Sequence, residues 1–322
     1  MKSKKAFYIT TSIIVTVLLV SFILGTIYDL QISRLFADLQ EGQYYSSNIY
    51  AILGETFGEN ILYVLLICAF AIMFFHLIRN PLQKKWLNVL LIIFFAIAGW
   101  IVSFYCINKT LKYISIYTNF GLDQFLQNIL GKIAIMLFAC IVAILVYLCF
   151  IKMKKETLQQ LSGWALSVMI IALISNLIVQ GAKLVFARTR YRAMMYECDS
   201  SFSHFTNWFQ INHDKFATAT GADFIRDYYK SFPSGHTCAA ASSFLLILLP
   251  NFYHKTNTFA WKFTFTAFAI VYTFLVALSR IVAGAHFFTD VFVGGIVTII
   301  TVFIAKWFVI EKRFKKNNSI KS

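Results

Sequence analysis

Charge is what this sequence has least of. Only 13% of the 322 residues are charged, against about a quarter in an ordinary soluble domain. Acids are the scarcer sign, with 14 Asp and Glu against 29 Lys and Arg. A chain so poor in charge and 59% hydrophobic is too apolar for a water-soluble domain. Proline is also rare. The three are Pro81, Pro233 and Pro250, all close to the ends of apolar runs. Ionisable residues are few near the centres of those runs, so the broken helices and mid-bilayer charges of a transporter or channel are not expected. Among the six cysteines there is no Cys-x-x-Cys pair and no His/Cys cluster, so no zinc or other metal site is expected. Most of these cysteines lie within apolar runs, where they act as small hydrophobes. A bridge between Cys106 and Cys198 is open to the chain, since both are expected on one side. Internal repeats, low-complexity linkers and the short alternating segments of a barrel are absent as well.

What is present is a series of apolar runs of about 18 to 24 residues, long enough for a helix to cross a hydrocarbon core of about 30 Å. Eight are read, at roughly 7–28, 61–78, 87–107, 130–151, 163–186, 235–250, 262–279 and 287–309. The fold class predicted is all-α, a polytopic transmembrane helical bundle. The first run follows Lys2, Lys4 and Lys5, but it is too long for a signal peptide and lacks a small-residue cleavage site, so it is read as an uncleaved span.

The distribution of cations sets an orientation. With the N-terminus in the cytoplasm, Arg79, Lys84, Lys85, Lys152, Lys154, Lys155, Lys255, Lys262 and the basic tail from Lys312 all fall inside, as the positive-inside rule requires. This layout explains the net charge of +15 without a nucleic-acid partner. The outer loops are then 29–60, 108–129 and 191–234. The last is rich in aromatic residues, including Tyr191, Tyr196, Phe205, Trp208 and Phe216, and is expected along the interface. The tail reads as an anchor near anionic headgroups.

Three short segments at outer span ends break the charge rule together. Lys183-Leu-Val-Phe-Ala-Arg-Thr-Arg190 closes the fifth span. Lys183 and Arg190 are about two turns apart and share a face if the helix continues, forming a clamp for an anion. Pro233-Ser234-Gly235-His236 opens the sixth span. Its first N–H groups have no intrahelical partners and favour an anion, and Gly235 allows close approach. Ser279-Arg280, then His286 and Asp290, link the seventh and eighth spans. His286 and Asp290 sit at i, i+4 spacing, which lets the carboxylate fix the imidazole tautomer. Each piece alone is ordinary, a local hydrogen bond or a snorkelling cation. All three at one face are not.

Together these segments resemble the signature of the type 2 phosphatidic acid phosphatase (PAP2) superfamily: Lys-x6-Arg-Pro, Pro-Ser-Gly-His and Ser-Arg-x5-His-x3-Asp. The second and third match in full. In the first, Tyr191 stands where the family has Pro, which leaves both cations in place and is expected to alter only the start of the following loop. The resemblance covers 87–310, a six-helix core. It leaves 1–86 as an extension with two spans and 311–322 as a basic cytoplasmic tail. It implies a bacterial membrane lipid phosphatase without a cofactor. His286 is implied as the nucleophile of a phosphohistidine intermediate, Asp290 as its orienting group and His236 as the acid–base. Lys183, Arg190, Ser234, Gly235 and Arg280 are implied as the phosphate-binding set, with Ser279 in the motif but not expected to touch the phosphate. The partners expected are the bilayer and a membrane lipid substrate, such as phosphatidylglycerol phosphate, phosphatidic acid or undecaprenyl diphosphate. A phosphotransferase of the same fold is the alternative, and the sequence leaves the oligomeric state open.

Overall fold

The computed structural model describes residues 2–118, 122–198, 201–212 and 227–319. Among these residues every regular element is helical. Eight helices are long and apolar enough to cross a membrane, at Ser12–Phe36, Ile49–Arg79, Lys85–Tyr117, Ile129–Phe150, Lys155–Phe186, Gly235–Phe252, Phe259–Val282 and Phe288–Phe308. They are the first to eighth spans below. All eight overlap the runs read from the sequence, but most extend further than hydropathy alone suggests.

Side-chain caps set several starts. Asn48 accepts from Tyr50 and Ala51 N–H, Asn128 from Leu130 and Thr258 from Trp261, each satisfying a donor that a helix start leaves open. The second span begins at Ile49, twelve residues before its apolar run, and so carries Glu55 on helix and Glu59 in the two-residue turn that joins Ile49–Phe57 to Asn60–Arg79. The sixth span is a short helix, Gly235–Ala241, continued by a 3-10 stretch over Ser242–Leu248 and a last turn at Leu249–Phe252. Its serines back-bond to the main chain, Ser243 Oγ to Ala240 O at 2.7 Å, a pattern that bends helices.

Within hydrocarbon, helices gain little from burying apolar surface and associate through close packing and hydrogen bonds. The core follows that rule. Leu65, Ala69, Ile72, Phe95, Leu158, Trp164, Val168 and Leu245 interlock across the second, third, fifth and sixth spans, and the Trp164 indole N–H is satisfied by Leu245 O at 2.9 Å. Ile and Leu on the first, third, fourth and fifth spans face outward. The second span is not peripheral. It is 56% buried, against 11% for the first span and 17% for the third and fourth. Gly54 is why it comes so close: a Cβ there would overlap the Ser279 side chain of the seventh span.

Substituting Gly54→Ala should push the second span off Ser279. The expected cost is about 1–3 kcal/mol for overpacking, read as a lowered Tm in detergent. An unchanged Tm would show that the contact can give way without loss.

Candidate active site

The three segments meet at one end of the bundle. The fifth span stops at Phe186 because Ala187 turns left-handed, with φ 45°. Lys183 and Arg190 therefore do not share a continuous helix face. The chain reverses between them, and each is held separately. Lys183 Nζ donates to Lys230 O at 3.0 Å and lies beside Gly235. Arg190 pairs with Asp227 at 3.0 Å. Arg190 also precedes the short helix Tyr191–Tyr196. Tyr191 takes the first helical position, where proline also fits, and stacks its ring on Phe202 at 5.6 Å.

Arg188, fully buried, organises the floor. It binds Asp290 at 2.7 Å, Asp29 of the first span at 2.9 Å, Thr289 Oγ1 at 3.0 Å and Thr206 O at 2.7 Å, with Phe287 under its plane at 4.1 Å. Asp290 is thereby committed. One oxygen takes Arg188, and the other accepts from Ser231 Oγ at 2.5 Å and Phe287 N–H at 2.9 Å. The direct His286–Asp290 bond expected from their spacing is not made. Nδ1 lies 3.9 Å from the carboxylate, beyond hydrogen-bond length. Nδ1 instead meets Ser231 O at 2.6 Å. A carbonyl only accepts, so Nδ1 carries the proton and Nε2 is the nitrogen with a lone pair. Asp290 acts on His286 at one remove, through Ser231.

His286 reaches this place because Gly284, at φ +59°, turns the chain after the seventh span, and the N–H groups of Ala285 and His286 both return to Arg280 O. Burial holds the His286 imidazole well below its ordinary pKa, and Arg190, Lys183, Arg280 and His236 push the same way. The Ser234 N–H on Asp290 O at 2.9 Å and Lys183 Nζ beside Gly235 bring the three segments together. Arg280 is fully buried, and its Nε, NH1 and NH2 make no hydrogen bond. NH2 lies 3.0 Å from Glu55 Oε1, but at a poor angle. Such a guanidinium is ready for an oxyanion.

Ser234 caps the sixth span, accepting from the Thr237 N–H at 3.3 Å and hydroxyl at 3.0 Å. Its own N–H goes to Asp290 O at 2.9 Å and is not available to an anion. Gly235 and His236 head the helix, where N–H groups lack intrahelical acceptors. Ser279 Oγ donates to Val276 O and packs on Gly54.

Besides Arg188 and Ser231, sequence reasoning missed four participants. Glu55 pairs with Arg192 at 3.1 Å and accepts from Tyr117 at 2.6 Å. Glu59 lies 3.0 Å from His236 Nδ1, and Lys109 of the third span binds Glu59. Asp227 bridges Arg190 and Arg192. Burial alone would raise the Asp227 carboxyl, but the two guanidinium groups hold it well below the usual carboxylate range. The available signal was two acids four residues apart beside an apolar run, in a chain short of acids. Cys106 and Cys198 are both free, so the bridge considered between them is not formed. Phe216 lies outside the described residues, as do 320–322 of the tail. Among the described residues, no group of three or more His, Cys, Asp or Glu is placed to hold a metal.

Residues 163–314 match the family model described as PAP2 superfamily. No curated protein and no solved structure matches the chain.

Because the His286 pKa is lowered, its neutral form should persist below the ordinary histidine range. The acid limb of the pH–kcat/KM profile for phosphate release should therefore not fall at pH 6–7. A limb at about 6.5 that disappears in a His286 variant would contradict this placement.

Proposed function

Residues 163–314 match the PAP2 superfamily model, and from that premise we propose that the chain is a member that hydrolyses the phosphate of a membrane lipid through a phosphohistidine intermediate. Members of this superfamily are phosphatases acting on phosphate esters, which gives the reaction type. The observation that carries the finer reading is Arg280: fully buried, paired among the described residues with Glu55 alone, its Nε and NH1 without a partner, and its main-chain oxygen bonded to the His286 N–H.

His286 Nε2 attacks phosphorus while Nδ1–H stays on the Ser231 carbonyl. Arg280, Lys183, Arg190 and the Gly235 N–H bear the charge that develops on the phosphoryl oxygens. His236 protonates the leaving oxygen, then takes a proton from the water that cleaves the N–P bond. This set needs no metal to neutralise the phosphate.

A lipid substrate is supported by the cavity that adjoins the site. It holds about 910 Å³, within the range of ligand pockets. Glu59, Lys109, Gly235, Asn176 and Gln180 line it together with Leu66, Phe70, Phe95 and Met169. A headgroup can meet Lys109 and the Gly235 N–H while the tail stays among apolar side chains. Eight spans are compatible with a multi-pass membrane protein, and the cation distribution supports cytoplasmic termini with the site on the extracytoplasmic face of the cell membrane.

Purified protein in detergent, offered phosphatidic acid, phosphatidylglycerol phosphate and undecaprenyl diphosphate in excess chelator, should release phosphate from at least one. His286→Ala should lower that rate by at least about 10³-fold while the protein still inserts. Full activity in the variant would remove the mechanism, and release only after a divalent ion is restored would remove its metal independence. In intact cells, an impermeant thiol reagent should modify Cys198, which is exposed. Labelling only after the membrane is opened would invert the orientation.

A further inference from the structure

The second span lies outside the segment that matches the family model, yet it supplies both partners of the His236 ring. Nδ1 is 3.0 Å from Glu59 Oε1, and Nε2 is 3.1 Å from the main-chain oxygen of Glu55. A carboxylate and a carbonyl both accept, whereas a neutral imidazole has one N–H to give. The arrangement is satisfied only with a second proton, on the ring or on Glu59. Glu59 is itself fixed: Tyr63 donates to its Oε2 at 2.9 Å, and Lys109 pairs with that same oxygen. Oε1 is left to the ring. The two side chains are only 9% and 11% exposed, so their coupling is little screened by water.

We propose that Glu59 is a positioning residue for His236: it holds the imidazole through Nδ1, and the His236–Glu59 pair carries the proton that departs with the product alcohol. This rests on the acid–base reading of His236 given above. In the first half-reaction the bond from His286 Nε2 to phosphorus forms and the bond from phosphorus to the leaving oxygen breaks. His236 Nε2 exchanges the Glu55 carbonyl for that oxygen and gives it the proton. In the second, water attacks phosphorus, the N–P electron pair returns to His286, and the proton of the water reloads His236. One water is consumed, and alcohol and phosphate are released.

The groups facing His236 are Glu55 and Glu59 on the second span, Lys109 and Tyr113 on the third, Arg280 on the seventh and His286 before the eighth, with Lys183 of the fifth beside the neighbouring Gly235. Lys109 and Arg280 oppose a second proton on the ring. Glu59 is the carboxylate in contact with Nδ1 that offsets them.

The test uses full-length protein in detergent with ¹⁵N-labelled histidine, the His236 signal being assigned by its loss in His236→Ala. Glu59→Gln should move the loss of the shared proton to lower pH by at least about one unit. Equal titration in both proteins would overturn the proposal. On micellar dioctanoyl phosphatidic acid, Glu59→Gln should lower kcat about 10- to 100-fold, leave KM within about twofold and draw in the alkaline limb. Glu59→Asp keeps the charge and should restore the titration. If it titrates like Glu59→Gln, the proposal fails. If His236→Ala and His286→Ala both keep releasing phosphate, the catalytic reading falls while the ¹⁵N comparison still decides the pairing. If both are inactive and Glu59→Gln behaves as wild type, the pairing alone falls.

Discussion

Cations gathered at the ends of apolar helices must find carboxylates. Removing a guanidinium from water is expensive unless it is paired and hydrogen-bonded. Here Arg188, Arg192 and Arg280 are almost wholly enclosed, and the chain has few acids to offer them. The acids that answer come from far along the sequence: Asp29 and Asp290 to Arg188, Glu55 and Asp227 to Arg192. The first two spans are tied to the last four by these pairs as much as by apolar packing. Losing one partner from such a set leaves a buried charge exposed to a low dielectric, typically a loss of about 3–5 kcal/mol.

The same requirement marks where a substrate charge belongs. Arg188 is saturated with acceptors and is structural. Arg192 is shared between Glu55 and Asp227 and stacks on Tyr44 and Tyr45. Among the described residues Arg280, fully buried, is paired only with Glu55, its Nε and NH1 without a partner, and Lys183 Nζ has one carbonyl acceptor. An oxyanion placed between these two and the histidines would complete the pairing that the protein leaves unfinished. Preorganised cations of this kind need no rearrangement when charge develops, which is the main advantage of a fixed site over water.

Much of this was legible beforehand. Run length and charge placement indicated eight helices, since a bilayer admits few other ways to satisfy a backbone. The spacing of Lys183, His236, Arg280 and His286 indicated a shared site at one face. Other inferences failed for local reasons. Asp290 was expected on His286, but Arg188 and Ser231 claim its oxygens first. Lys183 and Arg190 were expected on one helix face, but Ala187 ends that helix. Glu55 and Glu59 were read as loop residues because hydropathy cannot see a helix that begins twelve residues before its apolar run.

By itself, then, the sequence indicated the eight membrane-length helices found among the described residues, because these follow from the length and composition of the apolar runs. Only the tertiary structure decided which acid meets which base. A carboxylate will pair with any cation it can reach, and reach is set by helix packing: the contact of Gly54 with Ser279 that seats Glu55 beside Arg280, and the turn at Gly284 that carries His286 back toward it.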